Sequence, residues 1–197
     1  DASVGGKTGF DLPQGKNLVG AFKQPALVLI DPEVLGTLEP AEFRSGMAEV
    51  LKHGVIGDAA LFAALAAGPE DGSEMDAARL ARALRVKIEL VEADPFEGGR
   101  RAVLNLGHTA GHALERLSDY TLRHGEAVAV GMVVAARLAE RLGLTEEGLA
   151  ARIATALAAW GLPTRLPSYP IHTILDAMVH DKKRRAGRLR WVLPRRM

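Results

Sequence analysis

From Pro40 onward the apolar residues recur at helical spacing, and this periodicity limits what the rest of the chain can become. Phe43, Met47, Val50, Leu51 and Val55 share one stripe, and Pro40 with Glu42 suits a first turn, so a helix is expected from about Pro40 to about Ile56. Similar patterns predict helices at roughly Ala59 to Ala67, Glu74 to Ala93, Gly107 to Leu117, Gly125 to Leu142, Thr145 to Trp160 and Ile171 to Val179. Gly143, Gly161-Leu162-Pro163 and Pro167 punctuate them. The stretch before Pro40 differs. Residues 1–20 are rich in glycine among Asp, Ser, Thr, Asn and Pro, a loop composition whose backbone N–H groups can approach an anion. Ala26-Leu27-Val28-Leu29-Ile30, ended by Asp31-Pro32, suits a strand buried on both faces. Leu189-Arg190-Trp191-Val192-Leu193 alternates after Ala186-Gly187, as a strand or hairpin arm would. The expected fold is mainly α: a helical domain over 39–197, preceded over 1–38 by the tail of an α/β domain.

Composition excludes several classes. A chain of 197 residues with net charge +1 has no overall bias toward nucleic acid or an anionic membrane. The basic cluster Lys182, Lys183, Arg184, Arg185, Arg188, Arg190, Arg195 and Arg196 reads as a solvated face that lends one cation to a site. Cysteine is absent, which excludes a disulfide scaffold and thiolate metal sites and fits the cytoplasm. No apolar run reaches the ~20 residues of a membrane span. The N-terminus, Asp1-Ala2-Ser3-Val4-Gly5-Gly6, has no signal-peptide character and reads as an internal cut.

Two patterns carry chemistry. His108-Thr109-Ala110-Gly111-His112 sets two imidazoles four residues apart on one helix face, and His124-Gly125-Glu126 brings a third to the start of the next helix. Two His and a carboxylate make a suitable zinc set, while hydrogen-bonded core histidines are the competing reading. The zinc-peptidase motif is excluded, since Thr109 stands where that motif needs Glu. Glu49 interrupts an apolar helix, with Lys52 three residues on; the plain reading is a surface ion pair. Gly5-Gly6-Lys7-Thr8-Gly9 imitates a P-loop ending but has Asp1 at the leading glycine position. Lys7, Lys16, Asn17, Arg100, Arg101 and Asn105 remain as donors for an anion.

Taken together, Asp1 to Gly9, Gly15 to Phe22, Gly46 to Lys52, Arg101 to Thr109 and His124 to Val128 resemble, in order and spacing, the 3-dehydroquinate synthase family across nearly the whole chain. The resemblance implies a two-domain enzyme, a homodimer when intact, with a Rossmann-like NAD half and a helical half that holds zinc, or alternatively cobalt. Glu49, His108 and His124 match the metal ligands and also border the substrate. Lys7, Asn17 and His112 match residues around the substrate phosphate; Lys87, Arg101 and Lys182 or Lys183 match those around its carboxylate. Asp1, Lys52 and Asn105 match contacts to the hydroxyls, and Glu97 with His112 match residues of proton transfer, with Lys52 beside them. Lys16, Thr37 and Ser45 fall where the dinucleotide is touched.

The implied chemistry is a hydride loss to NAD, elimination of phosphate, return of the hydride, ring opening and an intramolecular aldol closure. The substrate would be a small phosphorylated sugar acid, with neither nucleic acid nor membrane as partner. Ala110 and His53 depart from the aromatic residues usual in the family, and Asp11-Leu12 from its common Asn-His; none is a ligand position. Sister sugar-phosphate cyclases such as 2-deoxy-scyllo-inosose synthase, a metal-dependent polyol dehydrogenase and a non-catalytic interaction module are the alternatives. The chain alone is expected to bind metal but to lack the NAD cradle, and so to be inactive, with residues 1–38 mobile or paired elsewhere.

Overall fold

The computed structural model describes residues 2–12, 15–69, 75–182 and 189–195. Asp1 and Lys183 lie outside the described residues.

The glycine-rich start is not a loop. β1 (Lys7–Leu12) and β2 (Gly15–Phe22) form an antiparallel hairpin, in register from Lys7 opposite Phe22 to Gly9 opposite Gly20. Thr8 Oγ1 donates to the Ala21 carbonyl at 2.8 Å and stitches the pair. Gly20 permits the pairing, because a Cβ there would fall 1.8 Å from the Thr8 carbonyl oxygen. Pairing satisfies the backbone of both segments, which loop composition alone does not reveal. The strand expected at Ala26 to Ile30 does not form. That segment pairs with no other strand and leaves Leu29 86% exposed, since a strand buried on both faces needs neighbours that the described residues do not supply. A 3-10 helix at Pro32–Thr37 follows, capped by Asp31, whose carboxylate accepts from Glu33 N.

The helices follow the periodicity closely. α1 (Pro40–Gly57) opens on its proline and ends at Asp58, whose carboxylate then caps α2 (Ala59–Leu65) by accepting from Leu61 N at 2.9 Å. α3 (Ala77–Ala93) starts later than the pattern implied because Asp76 is its cap, accepting from Arg79 N. A 3-10 helix at Arg100–Asn105 leads into α4 (His108–Leu117), followed by α5 (His124–Arg141). α6 spans Leu149–Ala159, its start set by Gly148 at φ +92 and not by Thr145, and α7 spans Ile171–Lys182. The segment 189–193 forms no strand. Its Trp191, Val192 and Leu193 pack on the core, and the Arg190 carbonyl accepts from Thr109 Oγ1 at 3.0 Å.

α5 is the central helix and packs both ways. Met132 and Val133 join Met47, Leu51, Leu61, Leu65, Ile153 and Leu157 in one core built from α1, α2, α5 and α6. Ala127 and Val130 join Ala110, Leu114, Ile174 and Met178 in a second core under α4 and α7. Each large side chain of this kind contributes roughly 1.5–3 kcal/mol when fully buried. The buried Trp160 indole donates to the Leu65 carbonyl at 2.7 Å, so its one polar atom is satisfied. Where α5 crosses the turn before α4, the backbones touch: a Cβ on Gly131 would lie 1.9 Å from the Gly107 carbonyl oxygen.

Candidate functional site

Three elements converge on one carboxylate oxygen. Glu49 on α1 sends Oε1 to 3.8 Å from His108 Nε2, at the start of α4, and to 3.6 Å from His124 Nε2, at the start of α5. Tetrahedral zinc with bonds of about 2.0–2.2 Å puts its ligand atoms about 3.3–3.6 Å apart, which these separations approach. Glu49 Oε1 is buried and makes no hydrogen bond among the described residues. A buried acceptor with no hydrogen bond of its own, set between two imidazole nitrogens, fits a bound cation.

The outer atoms of both rings are engaged. His108 Nδ1 lies 3.2 Å from the Leu106 carbonyl, and His124 Nδ1 lies 3.1 Å from Glu115 Oε1. Rings held this way turn Nε2 toward Glu49. Lys52, one turn on from Glu49, pairs with its Oε2, and both the pair and its surroundings are largely buried, with Lys52 2% exposed. The surface ion pair expected from spacing is therefore an interior one. Burial opposes ionisation of Glu49, yet the Lys52 ammonium and the two imidazoles outweigh it and hold the carboxyl well below its usual range. Burial, aided by Lys52, pushes His108 down to about 3, leaving it the neutral ring a metal needs. His124 is raised to about 9 by its bond to Glu115 and then by Glu49.

The cationic residues sort into two groups. Lys7 pairs with Glu97, whose Oε1 also accepts from Asn105 Nδ2 at 2.7 Å. Burial raises the Glu97 pKa, but Lys7 and Asn105 bring the net shift below the usual value. Glu97 sits at φ +58, a left-handed conformation that a Glu adopts at a cost of about 1–3 kcal/mol, and such strain gathers at functional loops. Asp94 holds that loop, accepting from the N–H groups of Gly98, Gly99 and Arg101. Arg101, 2% exposed, donates to the Pro95 carbonyl at 2.7 Å and the Gly5 carbonyl at 2.8 Å, and its buried Nε has no hydrogen-bond partner among the described residues. It therefore ties the N-terminal turn to the helical body. Lys87 on α3 is lowered to about 8, first by burial and then by Lys52, Arg101 and Lys7, against the pull of Glu49. His112 stacks edgewise on His108, with ring centres 5.3 Å apart.

The residues expected to touch a dinucleotide lie on three elements, Lys16 on β2, Thr37 at the end of the 3-10 helix and Ser45 on α1. Thr37 Oγ1 donates to the Val34 carbonyl at 2.7 Å, and Ser45 Oγ accepts from Gly125 N at 3.0 Å. Lys16 and Asn17 lie on β2, and Lys182 ends α7. Among the described residues there is no parallel strand, turn and helix of the kind that cradles a pyrophosphate. Glu115, 3% exposed, was missed by sequence reasoning. Its one signal is an acid three residues after His112, among the apolar positions of α4.

The fold and the site define a class: a helical domain with a two-histidine, one-carboxylate cluster beside a basic loop. The chain belongs to the 3-dehydroquinate synthase family: residues 46–184 match its C-terminal part and residues 1–45 its N-terminal part. It is 50% identical over 206 residues to the 3-dehydroquinate synthase of Nostoc punctiforme, covering 98% of this chain and 56% of that protein. The enzyme of Halorhodospira halophila is likewise 50% identical, over 99% of this chain and 56% of its own length. The chain thus spans a little over half the length of the curated relatives it matches. Among solved structures, 2-epi-5-epi-valiolone synthase from Streptomyces hygroscopicus subsp. jinggangensis, with NAD+ and Zn2+ bound, superposes with a TM-score of 0.85 at 30% identity, over 99% of this chain and 56% of that one. 2-Deoxy-scyllo-inosose synthase, complexed with carbaglucose-6-phosphate, NAD+ and Co2+, superposes at 0.75 with 26% identity, over 96% of this chain and 53% of that one.

Proposed function

We propose that this chain supplies the metal- and substrate-holding part of a 3-dehydroquinate synthase, which converts 3-deoxy-D-arabino-heptulosonate 7-phosphate to 3-dehydroquinate in the shikimate pathway. The observation that carries this is the orphaned Glu49 Oε1 between His108 Nε2 and His124 Nε2, set beside Lys52, Lys87 and the Lys7–Glu97–Asn105 network. Zn2+ or Co2+ bound by those three residues would supply a Lewis acid for a substrate hydroxyl. Lys52 keeps Glu49 ionised for that task. Lys87, lowered to about 8, is still mostly protonated at neutral pH and can meet a carboxylate, with Arg101 and Lys182 in the same role. Lys7, Asn17 and His112 serve the phosphate, while Asp1 and Asn105 serve the hydroxyls. Glu97, held ionised by Lys7 and Asn105, is in the state that accepts a proton, and His112 completes the transfer.

Residues 39–197 form the metal- and substrate-binding unit in this reading, and residues 1–38 belong with the dinucleotide-binding half. NAD is the cofactor of the whole enzyme, approached from this side by Lys16, Thr37 and Ser45. The intact enzyme is cytoplasmic and homodimeric. The test pairs this chain, fused or mixed, with the N-terminal part of a relative and measures phosphate release with NAD. Release from the heptulosonate phosphate, lost in Glu49→Ala, supports the reading. Turnover of a carboxylate-free sugar phosphate in preference to the heptulosonate would instead assign a sister cyclase.

A further inference from the structure

Resting on the metal reading above, we infer that Glu115 is the positioning residue of the centre. It fixes which nitrogen of His124 faces the metal, and it takes no part as a ligand.

The geometry is specific. Glu115 lies on α4, 3% exposed, and its Oε1 sits 3.1 Å from His124 Nδ1. The other ring nitrogen, Nε2, points to Glu49 Oε1 at 3.6 Å. A carboxylate only accepts hydrogen bonds, so the proton between Glu115 and the ring belongs to Nδ1, and a metal would take the place of the proton on Nε2. His124 begins α5, where its backbone lacks the support of a preceding turn, and its side chain is 45% exposed. The anchored acid thus restrains a ring that the surrounding packing does not enclose. His108 needs no such acid: it is more enclosed, and the Leu106 carbonyl engages its Nδ1 at 3.2 Å. The two ligand histidines are thereby oriented by different means, one by backbone and one by charge. Glu115, His112 and His124 also stand close enough to form a second, overlapping group of donors. A cation held there by both Glu115 and His124 Nδ1 would displace the proton that Glu115 accepts, so it would compete with the positioning role.

The experiment loads the 197-residue chain with zinc and with cobalt and measures affinity by chelator competition, with circular dichroism to confirm folding. Glu115→Ala is expected to weaken metal binding by about 10–100-fold, as lost outer-shell partners do. Glu115→Gln keeps a near-identical shape and an acceptor, and is expected to lose less. Nitrogen-15 spectra of the zinc-loaded wild type should show His124 bound through Nε2, with a slowly exchanging proton on Nδ1 that exchanges faster in Glu115→Gln. Unchanged affinity in both variants, with Glu49→Ala still abolishing binding, would overturn the role of Glu115 and leave the metal centre standing. Retention of metal by Glu49→Ala would overturn the centre itself. Zinc on His124 Nδ1, or two ions per chain of which Glu115→Ala loses one, would make Glu115 a ligand and equally overturn the inference.

Discussion

Ser45 Oγ on α1 accepts the backbone N–H of Gly125 on α5 at 3.0 Å, which joins the helix of Glu49 to the helix of His124 one residue from that histidine. A Cβ on Gly125 would lie 1.9 Å from the Ser45 carbonyl oxygen, so the contact is backbone against backbone. Ser45→Ala is expected to destabilise the chain by about 1 kcal/mol, the net worth of one such hydrogen bond. Gly125→Ala should be several-fold worse, because α5 must move away. Urea unfolding of both variants checks the order, and equal effects would remove the close approach from the account.

Metal should stabilise the fold and not only serve chemistry. Zinc at about 100 times its Kd is expected to raise stability by roughly 2.7 kcal/mol by mass action. Glu49→Ala, His108→Ala and His124→Ala should each abolish that gain, their loss of affinity exceeding the roughly 10–100-fold of a lost outer partner. Thermal melts with and without chelator read this directly.

Lys87 offers a pH dependence with a defined sign. Its folded pKa is lowered from 10.5 to about 8, chiefly by burial. Between those values the unfolded chain binds more protons than the folded one, so this group's contribution to stability increases from pH 8 to 10.5. Below pH 8 it is charged in both states and its desolvation opposes folding. Lys87→Met should therefore raise the melting temperature at pH 7 and flatten the profile across that window, while weakening binding of a carboxylated substrate by the fused enzyme. A variant less stable than wild type at pH 7 would contradict it.

Asp58 serves two partners at once, capping α2 through Leu61 N and receiving the Arg82 guanidinium from α3 at 2.6 and 3.0 Å. Asp58→Ala is expected to cost about 1–2 kcal/mol, a full cap loss. Arg82→Ala should cost less, since exposed pairs contribute about 0.2–1 kcal/mol. Chemical denaturation of both variants gives the comparison.

The helices were legible because each carries its own period and its own punctuation, as with Pro40 opening α1 and Asp58 between α1 and α2. Boundaries slipped where a cap lay inside the apparent pattern, at Asp76 and Gly148. The two strand misreadings, at Ala26 to Ile30 and Leu189 to Leu193, share a cause. A strand exists only with a partner, and an apolar or alternating run says nothing of whether one is there. The converse error hid the β1–β2 hairpin, whose glycines read as loop while they allow close pairing. The candidate metal cluster came from the family resemblance: spacing alone paired His108 with His112 and read Glu49 as half of a surface ion pair, while the structure brings Glu49, His108 and His124 together from three helices. Glu115 was not legible, because its role depends on a contact across a helix corner that no spacing encodes. The reading of Arg101 as an anion anchor gains a second part, since its donors already reach two backbone carbonyls.

The contact of Gly131 with the carbonyl of Gly107 sets how far apart α4 and α5 can stand. Because His108 and His124 begin those two helices, the spacing of the backbones that carry them is measured by the absence of a side chain. Tuning such a centre toward a larger or smaller ion would then begin at the glycines, with the coordinating residues left untouched.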